Sequence, residues 1–264
     1  MCPSHGLFDS NIEICEKCLG GNYTHCLRTK CVKNSRLKSL LGMLDAYFWR
    51  YSQAYSYIDA IICPSFFLKS KLDTQPRFRK KTVALHNFVD TVTPEEAEKG
   101  GYVLEFGHLS KDKGTNTLLE AAKRLPEVKF VFAGYGESEK DIAAVSNAKY
   151  VGFKTGIELE TLIRRAVVSV YPSQWYENCP FSVIESQMYG TPVIGSRMGG
   201  IPELIREGET GELFEAGNAQ ELEEKLRKLL FTPGLAERYS ENCKKAKFET
   251  PDSYYEKLMA VYGG

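Results

Sequence analysis

Residues 171–205 read YPSQWYENCPFSVIESQMYGTPVIGSRMGGIPELI, and this stretch decides the fold. A β-branched run at 167–171 is halted by Pro172-Ser173. After a loop carrying Trp175, Glu177 and Asn178, Pro180 sits where a first helical turn tolerates it, and Phe181, Ile184 and Met188 recur at helical spacing. Gly190 ends that helix, a short strand runs to Gly195, and Gly199-Gly200 leads into Pro202-Glu203-Leu204. Glu177 and Glu185 bracket the loop and the helix start, with seven residues between them. The free N–H groups of a helix N-terminus beside a strand end suit phosphate. A carboxylate accepting two hydrogen bonds suits the paired hydroxyls of a ribose or sugar ring. Two glutamates alone at this spacing would read as solvated surface, and the flanking segments are what give them meaning.

With its glutamate pair, small-residue strand and Gly-Gly-x-Pro-Glu turn in order, the stretch resembles the donor-sugar signature of retaining GT-B glycosyltransferases of the group 1, or family 4, type. The resemblance implies Glu185 on the ribose hydroxyls and Glu177 on hydroxyls of the transferred sugar. Backbone groups of Asn178, Cys179, Pro180 and Phe181 would line the sugar and diphosphate, and Gly199 and Gly200 would turn N–H groups towards the donor. The segment from Gly107 through His108 to Lys113-Gly114 resembles the family's Gly-Arg-Leu…Lys-Gly, whose Arg and Lys grip the phosphates. His108 stands where the Arg is usual, which exchanges a permanent bidentate charge for an imidazole. Gly134-Tyr135-Gly136 stands where Gly-Asp-Gly is usual, and Val151-Gly152-Phe153 matches a segment that holds the nucleobase through backbone groups. The implied catalytic residues are Glu177 and Lys113, Lys113 stabilising charge on the leaving diphosphate. Retention in the family proceeds by front-face attack assisted by the leaving phosphate, without Glu177 as nucleophile, and transfer needs no cofactor.

Outside the signature, 264 residues with 43% hydrophobic and 26% charged content are ordinary for a soluble protein of one large or two modest domains. Lysine plus arginine equals aspartate plus glutamate, so no global field favours nucleic acid. No apolar run is long enough to cross a bilayer and no leader is visible after Met1, so a cytoplasmic location is the expectation.

The first 35 residues are irregular and carry five of the eight cysteines: Cys2, Cys15, Cys18, Cys26 and Cys31. A knuckle such as Cys15-x2-Cys18 can present two thiolates to one zinc ion, and a segment this poor in apolar residues gains folding energy by binding one. Five cysteines compete with His5 and His25 for four places, and reduced thiols without a metal are the alternative. The family resemblance favours Cys2, Cys15, Cys18 and Cys31 as zinc ligands, with Cys26 as the substitute. From 36 to 57 the apolar spacing is helical, and no acidic residue lies between Lys17 and Leu44. A basic amphipathic helix of this kind either lies on a membrane surface or faces a core, and its continuation into a buried-strand pattern at 58–63 favours the core.

The fold class expected is α/β and GT-B-like. A partial N-terminal α/β domain at 1–95 supplies the acceptor side, a Rossmann-like parallel-sheet domain at 96–250 takes the nucleotide sugar, and a terminal helix at 251–264 returns to the first part. His86-Asn87-Phe88-Val89-Asp90 marks the crossing and 91–99 a solvated linker. In the second domain strands are expected at 102–106, 129–133, 150–152, 167–171, 192–195 and 211–214. Helices are expected at 115–125, 138–145, 157–166, 181–189, 202–205, 219–230 and 234–247.

The function expected is retaining transfer of a sugar from a UDP-, GDP- or ADP-sugar to an acceptor glycan or lipid-linked saccharide, at or near the inner face of a membrane. The chain reads as lacking the first part of its N-terminal domain, and so as inactive alone unless that half is supplied in trans. A nucleotide-sugar-binding module without turnover and a GT-B relative such as a sugar-nucleotide epimerase are the competing classes. A pyridoxal phosphorylase would need a Schiff-base lysine motif that is not found.

Overall fold

The computed structural model describes residues 2–11, 13–90 and 97–263, so most of the expected linker, 91–96, lies outside the described residues. The chain divides into two compact units, one of Met1–His86 with Lys257–Gly264 and one of Asn87–Glu256.

In the first unit, helices α1 (Thr24–Thr29) and α2 (Arg36–Tyr51) precede strand β1 (Ile61–Cys63), helix α3 (Phe66–Asp73) and strand β2 (Thr82–Ala84). The two strands pair in parallel, Ile61 opposite Thr82. Ser35 caps α2 by accepting from the Lys38 N–H, and the extended Ser52 ends it, so the helical pattern at 36–57 breaks into a helix and a 3-10 turn, Gln53–Tyr57. Most of the stripe expected to face a core is exposed, with Leu37, Leu41, Leu44, Phe48 and Tyr51 54–77% accessible, whereas Leu40 is half-buried and Tyr55 packs on the small core of Cys63, Leu72 and Phe78. Met43, Ala46 and Tyr47, on another face, pack instead on Tyr23, Cys18 and Cys26. Helical spacing shows that a face exists, and the body it meets is a tertiary matter.

The expected zinc set is not assembled. Among the described residues no group of three or more His, Cys, Asp or Glu side chains is arranged to hold a metal ion. Cys26, the proposed substitute, is buried with its Sγ 2.8 Å from Cys31 Sγ, while Cys2 Sγ lies 3.1 Å from Ser4 Oγ. Burial, ahead of the neighbouring thiols, pushes Cys18 up to about 11 and Cys26 further up, so these side chains behave as apolar core.

The second unit is a parallel sheet covered on both faces. Its elements are β3 (Tyr102–His108), α4 (Thr115–Lys123), β4 (Lys129–Tyr135), α5 (Glu139–Ala143), β5 (Ala148–Tyr150), α6 (Gly156–Arg165), β6 (Val168–Tyr171), α7 (Phe181–Met188), β7 (Val193–Ser196), α8 (Ile201–Leu204), β8 (Gly211–Phe214), α9 (Ala219–Phe231), α10 (Leu235–Lys244) and the start of α11 (Pro251–Gly263). Alternation along a strand supplies both faces. Val103 of β3 joins Leu118 of α4, Leu226 of α9 and Tyr239 of α10 in one core. Its neighbours Leu104 and Phe106 join Ile163 of α6 in another. Val183 and Ile184 of α7 pack with Ile201 and Leu204 of α8 over Val193 and Leu213.

The strand order is β5-β4-β3-β6-β7-β8, so the chain leaves β3 in one direction for β4 and β5 and resumes on its other side with β6. Such a reversal opens a crevice at the carboxyl ends of β3 and β6, where α/β sheets bind ligands. The fifth strand sits two residues earlier than its expected place at 150–152. Ala148 pairs with Phe130, and Gly152, at φ 77°, leaves the strand conformation. No helix among the described residues is long and apolar enough to cross a membrane.

Candidate functional site

At the reversal point the loop after β3 and the loop after β6 are pressed together. Gly114 caps α4 at φ 82°, and a β-carbon there would fall 1.9 Å from the Pro172 carbonyl oxygen. Only glycine fits such a left-handed position at this distance. The contact brings together two residues 64 positions apart: Lys113 Nζ lies 2.5 Å from Glu177 Oε1, both partly buried. Ser173 Oγ donates to the same carboxylate oxygen at 3.2 Å, and the Lys113 ammonium lies 5.3 Å from the centre of the Trp175 ring. Trp175 and Ser173 belong to the quoted stretch yet carry no spacing signal of their own, and only the fold reveals them as neighbours of Lys113 and Glu177.

Behind this pair lies a second carboxyl that sequence reasoning missed. Glu105 on β3 is fully buried, and Thr115, the first residue of α4, donates to its Oε1 at 2.9 Å. Its Oε2 is buried with no hydrogen-bond partner among the described residues. Burial raises this carboxyl to about 8, against the smaller opposing effect of the Thr115 bond, and so keeps it neutral at pH 7. Tyr171 at the end of β6 is pushed up by burial, then by the charge and hydrogen bond of Glu177, and more weakly by Glu105. Glu105, Tyr171, Glu177 and Lys113 thus form one electrostatically linked set beneath the reversal point.

Glu185 sits in the second turn of α7, where its backbone carbonyl accepts from the Tyr189 N–H at 3.1 Å, while its carboxylate makes no hydrogen bond or ion pair among the described residues. Partial burial raises its carboxyl. It lines a cavity of about 320 Å³ with Phe88, Asp90 and Phe181. A partly desolvated carboxylate without a partner, facing open space, is a hydrogen-bond acceptor awaiting donors.

Other expected positions behave differently. Cys179 is buried in the α7–α8 core, where burial raises its thiol, and its carbonyl accepts from Asn87 Nδ2 at 3.0 Å. Pro180 is buried as the cap of α7, whereas Asn178 and Phe181 are exposed. The Gly200 N–H, expected to turn towards a donor, is spent on the Glu177 carbonyl at 2.7 Å, so the Gly-Gly turn braces the Glu177 loop. The Gly152 carbonyl accepts from the Gly134 N–H at 3.0 Å and the Val151 N–H donates to the Phe132 carbonyl at 2.9 Å, which removes two of the backbone groups expected to face a base. Phe153 instead offers an exposed ring, edge-on to Tyr135 at 5.6 Å. His108, at the carboxyl end of β3 beyond Gly107, is exposed with its ring 5.2 Å from that of Tyr135.

Known proteins resemble the chain in sequence and in fold. An uncharacterized glycosyltransferase of Methanocaldococcus jannaschii, MJ1178, is 27% identical over 221 residues, 81% of this chain and 61% of the relative. The sulfoquinovosyl transferase SQD2 of Arabidopsis thaliana is 32% identical over 161 residues, 59% of this chain and 30% of that protein. This chain therefore spans less than two thirds of the length of either relative. Among solved structures, Anabaena Alr3699/HepE in complex with UDP superposes with a TM-score of 0.71 at 16% identity, over 97% of this chain and 80% of that one. TarM of S. aureus gives 0.70 at 19% identity, over 83% of this chain and 46% of that one. These two likenesses show that the fold is shared with GT-B proteins. The family described as Glycosyl transferases group 1 matches residues 91–246, more than half of the chain and nearly all of the six-stranded unit. By that match the chain is a member of the group 1 glycosyl transferases.

Proposed function

We propose that this chain binds a nucleoside-diphosphate sugar at the carboxyl ends of β3 and β6 and serves retaining transfer of the sugar to an acceptor hydroxyl on a glycan or lipid-linked saccharide. The observation that carries the reading is the Lys113–Glu177 contact across the reversal point. Without a donor the two side chains neutralise each other. A donor supplies better partners to both, since its diphosphate takes the ammonium and its sugar hydroxyls take the carboxylate. Lys113 then sits where negative charge grows as the bond from the anomeric carbon to the diphosphate breaks. Glu185 accepts from the ribose hydroxyls, which fits its missing partner and its place in the second turn of α7. The acceptor oxygen bonds to the anomeric carbon on the face the diphosphate leaves, and its proton passes to the departing phosphate oxygen.

The UDP and UDP-glucose bound in Anabaena HepE make uridine nucleotides the first donors to test, with GDP- and ADP-sugars beside them. Calorimetric titration of the chain with the three nucleoside diphosphates and their glucose conjugates tests the reading. Saturable binding of one base in preference to the others is expected. Absence of binding by all six would overturn it.

A further inference from the structure

Of the five N-terminal cysteines, two stand as a pair. Cys26 lies in α1 and is 1% exposed, whereas Cys31, just beyond the end of that helix, is half-buried. The Cys31 thiol donates to Cys26 Sγ at 2.8 Å, and the Cys26 thiol in turn faces the Ser39 carbonyl at 3.6 Å. A disulfide holds its sulfurs about 2 Å apart, so less than about 1 Å of closure joins the two. Cys18 shares the same small core yet touches no other thiol among the described residues. The backbone supports the approach, since the Cys31 N–H donates to the Cys26 carbonyl at 3.2 Å. It does so through a strained turn: Lys30, Lys33 and Asn34 all take left-handed φ angles of 50–51°. Side chains resist that conformation, and it persists only where neighbouring contacts impose it. Beyond the Cys31 N–H, the Val32 N–H donates to Ser39 Oγ at 3.1 Å.

We propose that Cys26 and Cys31 form an oxidative modification site, closed to a disulfide by a hydroperoxide and reopened by a dithiol, and that closure locks the turn entering α2. Cys31 is the thiol a small peroxide reaches, because Cys26 is covered. The Cys31 sulfur attacks one peroxide oxygen, the O–O bond breaks, and the other oxygen leaves as water with the thiol proton. The product is a sulfenic acid at Cys31. The Cys26 sulfur then bonds to the Cys31 sulfur, the S–OH bond breaks, and the Cys26 proton departs with the hydroxyl as a second water. Two thiols have lost two electrons and one peroxide has gained them. Burial, ahead of the adjacent Cys31 sulfur, holds the Cys26 thiol protonated. Passing its proton straight to the leaving oxygen spares the core a free thiolate. A dithiol reverses the step by thiol–disulfide exchange, becoming a disulfide itself. None of this depends on the donor-site reading.

Hydrogen peroxide in small excess over the reduced full chain tests this, with free thiols counted after denaturation and a tryptic digest read by mass spectrometry. The eight free thiols are expected to lose two, and dithiothreitol to restore both. Trypsin cuts after Lys17, Arg28, Lys30 and Lys33, so the bond should join peptide 18–28 to peptide 31–33. Because Cys18 lies in the first of these, fragmentation of the joined peptides assigns the bond in the unaltered chain without recourse to a variant. Cys18→Ala should retain the cross-link and Cys31→Ser should abolish it. Amide hydrogen exchange at 30–35 should slow about tenfold in the oxidised chain and return to its reduced rate with dithiothreitol. A chain that keeps all eight thiols, or that joins Cys31 to Cys18 or to a second chain, overturns the site. Oxidation of Cys31 to a sulfinic acid without a cross-link does the same. A Cys26–Cys31 bond that leaves exchange at 30–35 unchanged overturns the lock.

Discussion

A β-carbon placed on Gly199 would lie 2.1 Å from the carbonyl oxygen of Glu177 and 2.6 Å from its nitrogen. The Gly-Gly turn and the loop bearing Glu177 are therefore one packed unit, closed by the Gly200 N–H to the same carbonyl. Gly199, at φ 61°, has its conformation and its missing side chain set by that contact.

Gly199→Ala should accordingly displace the Glu177 loop. The left-handed backbone alone costs about 1–2 kcal/mol for alanine, and the backbone clash adds to it. Urea unfolding should show a loss of at least that size, with sugar-nucleotide affinity falling more than nucleoside affinity. Full stability in the variant would mean that the turn is looser than described.

Glu105 predicts an unusual pH dependence. Its carboxyl is raised to about 8 in the folded chain, so folding favours its protonated form, and its effect on stability worsens as pH rises from the unfolded value near 4.5 through about 8. Glu105→Gln keeps the shape and cannot ionise. The variant should match the parent near pH 4 and exceed it above pH 8 by on the order of a few kcal/mol, read as thermal midpoints across pH. Parallel pH profiles for the two proteins would contradict a neutral Glu105.

Glu212 predicts the opposite sign. It is 1% exposed on β8 and accepts from Lys228 at 2.5 Å, Lys225 at 3.2 Å and the Tyr239 hydroxyl at 2.6 Å. Burial would raise its carboxyl, but these three donors outweigh that and hold it below the ordinary range. Its contribution is present above pH 4.5 and is lost as pH falls through the depressed value. Glu212→Gln should cost about 2–3 kcal/mol at pH 7, less than a fully buried pair because Lys228 is half exposed, and should narrow the gap to the parent in acid. An acid-unfolding midpoint unmoved by the substitution would refute the network.

How much of this was legible beforehand depends on whether the signal was local. The loop–helix–strand order around Glu177 and Glu185 could be read because Pro172, Pro180 and Gly190 punctuate it and the apolar period switches between them. The six parallel strands followed from the same alternation, with the fifth displaced because register, not composition, chose Ala148 as the partner of Phe130. What could not be read was tertiary. Nothing in the spacing shows that Lys113 meets Glu177, that Gly200 spends its N–H on the Glu177 carbonyl, or that Cys179 turns inward. The cysteine spacing that suggested a metal describes a small core around Tyr23 instead, since thiols pack as readily as they ligate. Glu105, inside an apolar strand, gave no sign of its importance, because a buried acid and an exposed one look alike in a string of letters.

The central claim assigns Glu185 to the ribose and Glu177 to the transferred sugar, with Lys113 passing from Glu177 to the diphosphate. Calorimetric titration of Glu185→Ala and Glu177→Ala, each with a nucleoside diphosphate and its sugar conjugate, tests it most directly. Glu185→Ala should weaken both ligands about ten- to a hundredfold, as expected when one to three kcal/mol of charged hydrogen bonding is lost. Glu177→Ala should weaken only the sugar conjugate and leave the free diphosphate bound as tightly or more so, because Lys113 is then released from its partner. Equal losses on both ligands in both variants would contradict the account.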